Sequence, residues 1–272
     1  MRVSTNSEQF QSGAEKYAAY LETPEGRLRL DLTFANLREF LPGTGATQSL
    51  RALDLGCGTG ATGLRLARVG FYVTLLDSSP AMLDIAKHAA REAGVTERTA
   101  LKHGDVSQAA NLFDTGLFDV ILCHNVLEYV DDPGAVLRGA ACLLRDSASI
   151  LSVLVRNQAG EVLKAAIKMG DLRAAELNLA AEWGEESLYG SRVRLFTRDK
   201  LLAMLKAASL TMNAERGVRV VADYLPSQGR SAEYERILEL ERKLGSRPEF
   251  VAVARYTHCL ARRAGPIMQD GA

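Results

Sequence analysis

The sequence predicts an α/β fold: a mostly parallel sheet with helices on both faces. Three observations lead there. An apolar approach, Leu53-Asp54-Leu55, enters Gly56-Cys57-Gly58-Thr59-Gly60, with glycines at alternate positions. Apolar runs of strand length then alternate with helical patterns in steps of about 25–30 residues, the rhythm of parallel strands joined by crossover helices. Finally, a carboxylate stands at or just past the end of each of the first three strands, at Asp54, Asp77 and Asp105.

Each element has its own signal. Residues 1–48 read as lid helices laid before the core. Phe10, Tyr17 and Tyr20 are aromatic anchors, Pro24-Glu25-Gly26 breaks the pattern, and Arg27 to Leu41 forms an amphipathic helix closed by Pro42-Gly43-Thr44-Gly45. Residues 49–155 form the ligand-binding core. Leu50–Leu55 is its first strand, and Thr62–Val69 is a helix ended by Gly70. Phe71–Leu76 is a second, mostly apolar strand, as expected where both faces are buried. Ser79 and Pro80 are an N-cap and an N1 residue for the helix that follows. Thr99–His103, Phe118–Cys123 and Ser149–Val155 complete five strands, with a helix at Pro133–Leu144. Residues 156–190, rich in alanine and leucine, form a helical cap inserted above the carboxyl edge, in two pieces at Gly160–Met169 and Leu172–Trp183. Residues 191–264 return to the sheet. Val193–Phe196 is extended, a helix opens at Thr197, Thr211–Val221 and Phe250–Leu260 are strands six and seven, and Ser231–Leu244 is an amphipathic helix. Residues 265–272 read as a frayed tail. The whole is one domain.

Composition narrows the function. The 272 residues carry no net charge, so no global field recruits DNA, and an RNA partner needs a local basic patch. The four cysteines form no CxxC pair, which argues against zinc and against a disulfide scaffold. No leader and no membrane-length apolar run is visible, so a cytoplasmic enzyme is expected.

The glycine loop has two candidate ligands. Gly58-Thr59-Gly60-Ala61-Thr62-Gly63 satisfies G-x-G-x-x-G and fits NAD as well as S-adenosyl-L-methionine. Asp54 decides between them. A carboxylate there accepts from the ammonium of a methionine moiety and repels the phosphates of a dinucleotide. Asp77 is placed to accept from ribose hydroxyls, and Asp105 from the adenine amine, with Val106 as a backbone donor and apolar wall. Ligands of such sheets bind at this edge. The expected cofactor contacts are therefore Asp54, Gly56, Cys57, Gly58, Gly60, Asp77, Ser78, Met82, Gly104, Asp105 and Val106, with no metal. Were the acceptor a carboxylate, as the second resemblance given below implies, methyl transfer would need no general base, since the nucleophile is ionised at neutral pH. Arg219, with Arg192 or Arg194, would clamp it, and Tyr224 would orient it. Trp183 either stacks on a base or packs within the cap. The alternatives are a methyltransferase for small molecules with a capped apolar pocket, an NAD-dependent oxidoreductase, and a module that binds the cofactor without turnover.

The motifs also carry a resemblance. Leu53–Gly60, Leu75-Leu76-Asp77-Ser78-Ser79-Pro80-Ala81-Met82, Gly104-Asp105 and Phe118-Asp119-Val120-Ile121 resemble the four motifs of class I S-adenosylmethionine-dependent methyltransferases. The resemblance implies a Rossmann-like seven-stranded sheet with an antiparallel last strand. Gly26-Arg27-Leu28-Arg29, His124–Val130, Gly217-Val218-Arg219-Val220, Asp223-Tyr224-Leu225, Tyr234-Glu235 through Leu240-Glu241, and Arg255-Tyr256-Thr257-His258 are similar to the bacterial tRNA methyltransferases that esterify 5-carboxymethoxyuridine at the wobble position. That likeness implies cofactor contacts from Arg29 and His124 and a tRNA acceptor. Where that family carries a lysine-rich run, this chain has Arg192, Arg194, Arg198 and Lys200.

Overall fold

The computed structural model describes residues 10–42, 49–186, 188–226 and 232–264. Seven strands form the main sheet: β1 (Arg51–Leu55), β2 (Tyr72–Asp77), β3 (Thr99–His103), β4 (Val120–His124), β5 (Ile150–Arg156), β8 (Leu210–Val218) and β9 (Tyr256–Arg263). Between β5 and β8 in the chain, β6 (Trp183–Glu186) and β7 (Ser191–Arg194) pair as a separate hairpin. The main sheet has the order β3-β2-β1-β4-β5-β9-β8. β1 to β5 are parallel, and β9 enters antiparallel between β5 and β8. The strand order reverses beside β1 and β4, so ligands are expected outside the carboxyl ends there.

The apolar alternation of the strands divides the core into two layers. Leu53, Leu55, Ile121 and Val153 pack with Val136, Leu137 and Leu205 on one face. Ala52, Val73, Leu75 and Leu122 pack with Leu64, Leu66, Ala86 and Leu37 on the other. Every residue of β5 is buried, which suits its mostly apolar sequence, interrupted by Ser152 and ended by Arg156.

The N-terminal segment departs from expectation. Pro24-Glu25-Gly26 does not break the pattern: Thr23 caps a helix whose first residue is Pro24, where a missing N–H costs nothing. Helices α1 (Ala14–Glu22) and α2 (Pro24–Arg38) therefore meet at a single residue, Thr23. A Cβ on Gly26 would lie 2.1 Å from the Tyr20 carbonyl oxygen, so only glycine permits this approach. On the same two helices the Arg29 guanidinium lies 5.8 Å from the Tyr17 ring centre and 5.1 Å from that of Tyr20.

The cap also differs. Its helices are α6 (Gln158–Leu163), continuing into a π-helical turn at Lys164–Lys168, and α7 (Leu172–Asn178), numbered after α3 (Ala61–Arg68), α4 (Pro80–Glu92) and α5 (Pro133–Leu143). The expected second helix does not reach Trp183, which instead starts the β6–β7 hairpin. A helical α8 (Arg198–Ala207) follows, capped by Thr197 as expected. Strand seven begins late: residues 248–251 form a helical turn, and β9 starts at Tyr256. Helix α9 (Tyr234–Gly245) covers the predicted amphipathic segment. The expected turn at Gly43-Thr44-Gly45, the first nine residues, Ser231 and the expected tail lie outside the described residues. Among the described residues, no helix is long and apolar enough to cross a membrane.

Candidate active site

The glycine loop is built from its backbone outward. Gly56, Gly58 and Gly60 have φ of 61°, 53° and 76°, in the left-handed region. The loop is tied to β2: Cys57 N–H donates to the Leu76 carbonyl (3.0 Å), and Gly58 N–H to Asp77 Oδ2 (2.8 Å). The other Asp77 oxygen accepts from Ser79 N–H (2.8 Å). One carboxylate thus joins the loop to the start of α4.

A cavity of about 590 Å³ opens along the carboxyl edge of the sheet. Gly56, Gly58, Asp77, Ser78, Met82, Asp105, Val106, His124, Arg29 and Arg219 all line it. Asp105 also caps the turn after it, accepting from Ser107 N–H (2.8 Å). The remaining expected contacts sit differently. Asp54 and Cys57 line a small adjoining cavity with Arg29, Asn125 and His124. Asp54 accepts from Gly63 N–H (3.1 Å), and burial, opposed by that bond, pushes its carboxyl up to about 7. Gly60 and Gly104 line neither cavity. They admit close packing instead: a Cβ would meet Leu75 at 3.0 Å from Gly60 and Leu112 at 2.8 Å from Gly104.

Of the acceptor-side residues, the structure brings only Arg219 to the cavity. Tyr224 lies half-buried outside it. Arg192 and Arg194 place their guanidiniums 4.7 and 4.5 Å from the Trp183 ring centre on the hairpin. Trp183 is therefore held within the cap by two cations.

Arg219 follows β8 with a φ of 62°. Its conformation is secured from below: Glu241, fully buried on α9, accepts from the N–H groups of Val220 (2.6 Å), Val221 (2.9 Å) and Ala222 (2.7 Å). Arg219 donates to Tyr20 Oη (3.0 Å) and pairs with Asp223. Arg255 pairs with Glu161 (2.5 Å) and Asp223 (3.7 Å), and Arg156 with Glu161 (3.1 Å) and Glu186 (3.4 Å). Burial raises the Tyr256 phenol, but Arg156, Arg219, Arg29 and Arg255 outweigh it and bring it below the ordinary range.

The cavity is polarised by the strand order. Its β1–β4 side carries Asp77, Asp105, Asp131 and Asp132. The β5–β9–β8 side, with the cap, carries Arg156, Arg219, Arg255, Lys164 and Lys168 against Glu186 and Asp223. Between them, Arg29 is buried and donates only to neutral groups among the described residues, Asn125 Oδ1 (3.1 Å) and Tyr17 Oη (3.0 Å). A buried guanidinium without a carboxylate partner is chemically suited to an anion.

Sequence reasoning missed several of these residues: Asn125, Arg156, Lys164, Lys168 and Glu186. Arg156 ends β5 as Asp77 ends β2, so the strand-end rule that found the acids applies to it equally. Asn125 stands directly after a strand, with a φ of 54° that asparagine tolerates better than most residues. Lys164 and Lys168 had no signal, since nothing in their local pattern shows which way the cap turns.

This edge-bound cradle on a seven-stranded sheet defines a class, and comparison agrees. Residues 46–209 match the model of the methyltransferase domain family, and the chain belongs to the S-adenosylmethionine-dependent methyltransferases. It is 31% identical over 258 residues to the tRNA 5-carboxymethoxyuridine methyltransferase of Escherichia coli strain K12, covering 93% of this chain and 95% of that one. It is 34% identical over 114 residues to the ubiquinone biosynthesis O-methyltransferase of Xanthomonas axonopodis pv. citri strain 306, over 42% of this chain and 46% of that one. The fold matches magnesium protoporphyrin IX methyltransferase of Synechocystis PCC 6803 with bound SAH, at a TM-score of 0.65 and 15% identity, covering 95% and 98% of the two chains. A Thermotoga maritima methyltransferase matches at a TM-score of 0.62 and 17% identity, covering 94% and 99%.

Proposed function

We propose that this methyltransferase esterifies a carboxylate, and that its acceptor is the 5-carboxymethoxyuridine of tRNA. The observation that carries the reading is the polarised cavity: a cradle lined by acids on one side, and an excess of cations facing it across Arg29. The cofactor's groups fit the first part. Arg29 suits the methionine carboxylate, Asp54 the ammonium, Asp77 the ribose hydroxyls and Asp105 the adenine amine. Bound there, the cofactor supplies a methyl group on a positively charged sulfur.

The chain's own residues then hold the acceptor. Arg219 and Arg255, fixed by Asp223 and Glu161, present guanidiniums toward an anion. No general base is needed for an ionised carboxylate, so orientation and exclusion of water carry the catalysis. Phe10 packs edge-on to Tyr129 (5.1 Å) and Tyr189 (5.4 Å), and Tyr17 stacks with Tyr189 (6.4 Å), which gives a wall suited to a planar base. Lys164 and Lys168, with Arg192 and Arg194 on the hairpin, supply the local positive charge that a neutral chain needs to hold RNA. The extensive likeness to the Escherichia coli tRNA enzyme supports the same acceptor. The cations of the inner end favour it over the apolar pocket expected for a small neutral substrate.

The test is mass spectrometry of nucleosides from tRNA carrying 5-carboxymethoxyuridine, incubated with the protein and methyl-labelled cofactor. A base-labile labelled ester in that nucleoside is the expected result. Label only in free carboxylic acids, screened in parallel, would remove tRNA from the reading.

Asp54 adds a pH signature. In the free chain it holds a proton below about 7. A ligand ammonium beside it favours the ionised form, so binding expels that proton. Affinity for S-adenosylhomocysteine is expected to rise with pH up to about 7 and then level. Calorimetry in buffers of different ionisation heat should show proton release below that pH. Equal heats in all buffers would show that Asp54 is not the partner.

A further inference from the structure

A row of polar groups crosses the middle of the sheet, where only apolar packing would be needed. His124 Nε2 lies 2.8 Å from Ser152 Oγ, Ser152 Oγ lies 2.8 Å from His258 Nε2, and His258 Nδ1 lies 3.4 Å from Asn36 Nδ2. The three strand residues come from neighbouring β4, β5 and β9, and Asn36 comes from α2. Ser152 and His258 are fully buried and Asn36 nearly so. Burying such groups is costly unless each is hydrogen-bonded, and a half-satisfied row is worse than leucines. Yet one end is open. Nδ1 of His124 is buried without a hydrogen-bond partner among the described residues, while His124 lines both the main cavity and the small one beside Arg29 and Asp54.

The row has a direction. Burial keeps both rings neutral, assisted by the Arg29 charge near His124 and by Arg216 near His258. A neutral imidazole carries one N–H, and its second nitrogen accepts. The Asn36 amide nitrogen only donates, so His258 Nδ1 accepts and His258 Nε2 carries hydrogen. That N–H donates to Ser152 Oγ, and the Ser152 hydroxyl donates to His124 Nε2. The proton of His124 must then reside on Nδ1.

We propose that Asn36, His258 and Ser152 are positioning residues that lock His124 in the Nδ1–H form, so that it donates, with Arg29, to the carboxylate of the cofactor's methionine moiety. This rests on the cofactor placement given above. The opposite tautomer would present a lone pair to the same carboxylate and repel it. Asn36 touches neither cavity, so its influence runs through the row alone.

Nitrogen-15 NMR of histidine-labelled protein reads the tautomers directly and needs no ligand. Protonated Nδ1 on His124 and protonated Nε2 on His258 are expected. A protonated Nε2 on His124 overturns the proposal, whatever any variant does. Asn36→Asp then reverses the row at mildly alkaline pH, because a carboxylate only accepts: His258 moves its proton to Nδ1, and each later bond inverts. The expected result is His124 protonated on Nε2 and affinity for S-adenosylhomocysteine about tenfold weaker by calorimetry. Ser152→Ala, which breaks the row without reversing it, should cost about threefold. Unchanged tautomers and affinity in a folded Asn36→Asp protein refute the coupling. If the wild-type tautomers are as expected but S-adenosylhomocysteine does not bind at all, the cofactor reading fails, and the donor role of His124 fails with it.

Discussion

Asp77→Ala is expected to lower the affinity for S-adenosylhomocysteine by about a hundredfold or more. Charge-assisted hydrogen bonds contribute about 1.5–3 kcal/mol each, and this carboxylate already makes two of them, to Gly58 N–H and Ser79 N–H. Its loss would remove one of the two ties between the glycine loop and β2, leaving the Cys57–Leu76 backbone bond, and with it the carboxylate proposed to accept from the ribose hydroxyls. Asp77→Asn should fall between, because one oxygen still accepts while the amide faces an N–H. Titration calorimetry measures the effect, and circular dichroism checks the fold. An Asp77→Ala protein that binds within about threefold of wild type would show that the cofactor lies elsewhere.

The second large effect is expected at Arg219, with the opposite signature. Removing this guanidinium alone would leave Asp223, which is 4% exposed, with only its longer pair to Arg255 (3.7 Å), at a cost of up to about 3–5 kcal/mol in stability. The informative comparison is therefore Arg219→Leu with Asp223→Asn, set against Asp223→Asn alone. The double variant should lose about a hundredfold to a thousandfold in kcat/KM for the acceptor, as expected when a desolvated charge partner is removed. Affinity for S-adenosylhomocysteine should stay within about threefold if Arg219 serves the acceptor, as proposed. Equal losses in both would mean that Arg219 shapes the whole cavity rather than binding the acceptor. Arg219→Lys should retain part of the rate, since it keeps the charge and loses the planar fork.

Legibility in the sequence followed the range of the interactions. The glycine loop, Asp77 and the caps at Ser79 and Thr197 are local devices. Their partners lie within a few residues or at the end of the neighbouring strand, and the reading placed them correctly. The same local reasoning mistook Pro24 for a break, because proline at N1 and proline after a helix look alike without the preceding threonine's hydrogen bond. It carried the cap helix through to Trp183, because alanine and leucine favour a helix wherever packing does not object. Packing does object there: Val193 of the hairpin is buried, and so are Leu195 and Phe196 directly after it. Arg192 and Arg194 looked like substrate clamps for want of the knowledge that Trp183 lies beside them. Glu241 looked like an ordinary residue of an amphipathic face, and its three backbone donors are about 20 residues away in the chain.

The sequence by itself determined the class of enzyme and where the cofactor should sit. Strand periodicity sets the order of elements, right-handed crossovers set the sheet, and glycines followed by strand-end acids mark the ligand edge. Only the tertiary structure decided which side chains share the cavity at that edge. Arg156, Arg219 and Arg255 come from the ends of three strands separated by up to 99 positions in numbering, and they converge because β9 inserts between β5 and β8. That convergence depends on long-range strand pairing and on buried counter-charges from the cap and the turn after β8. No local pattern encodes it. Leu53–Gly60 and Asp77 thus mark in the sequence the edge proposed for the methyl donor, and the site proposed for the acceptor emerges only when the arginines meet.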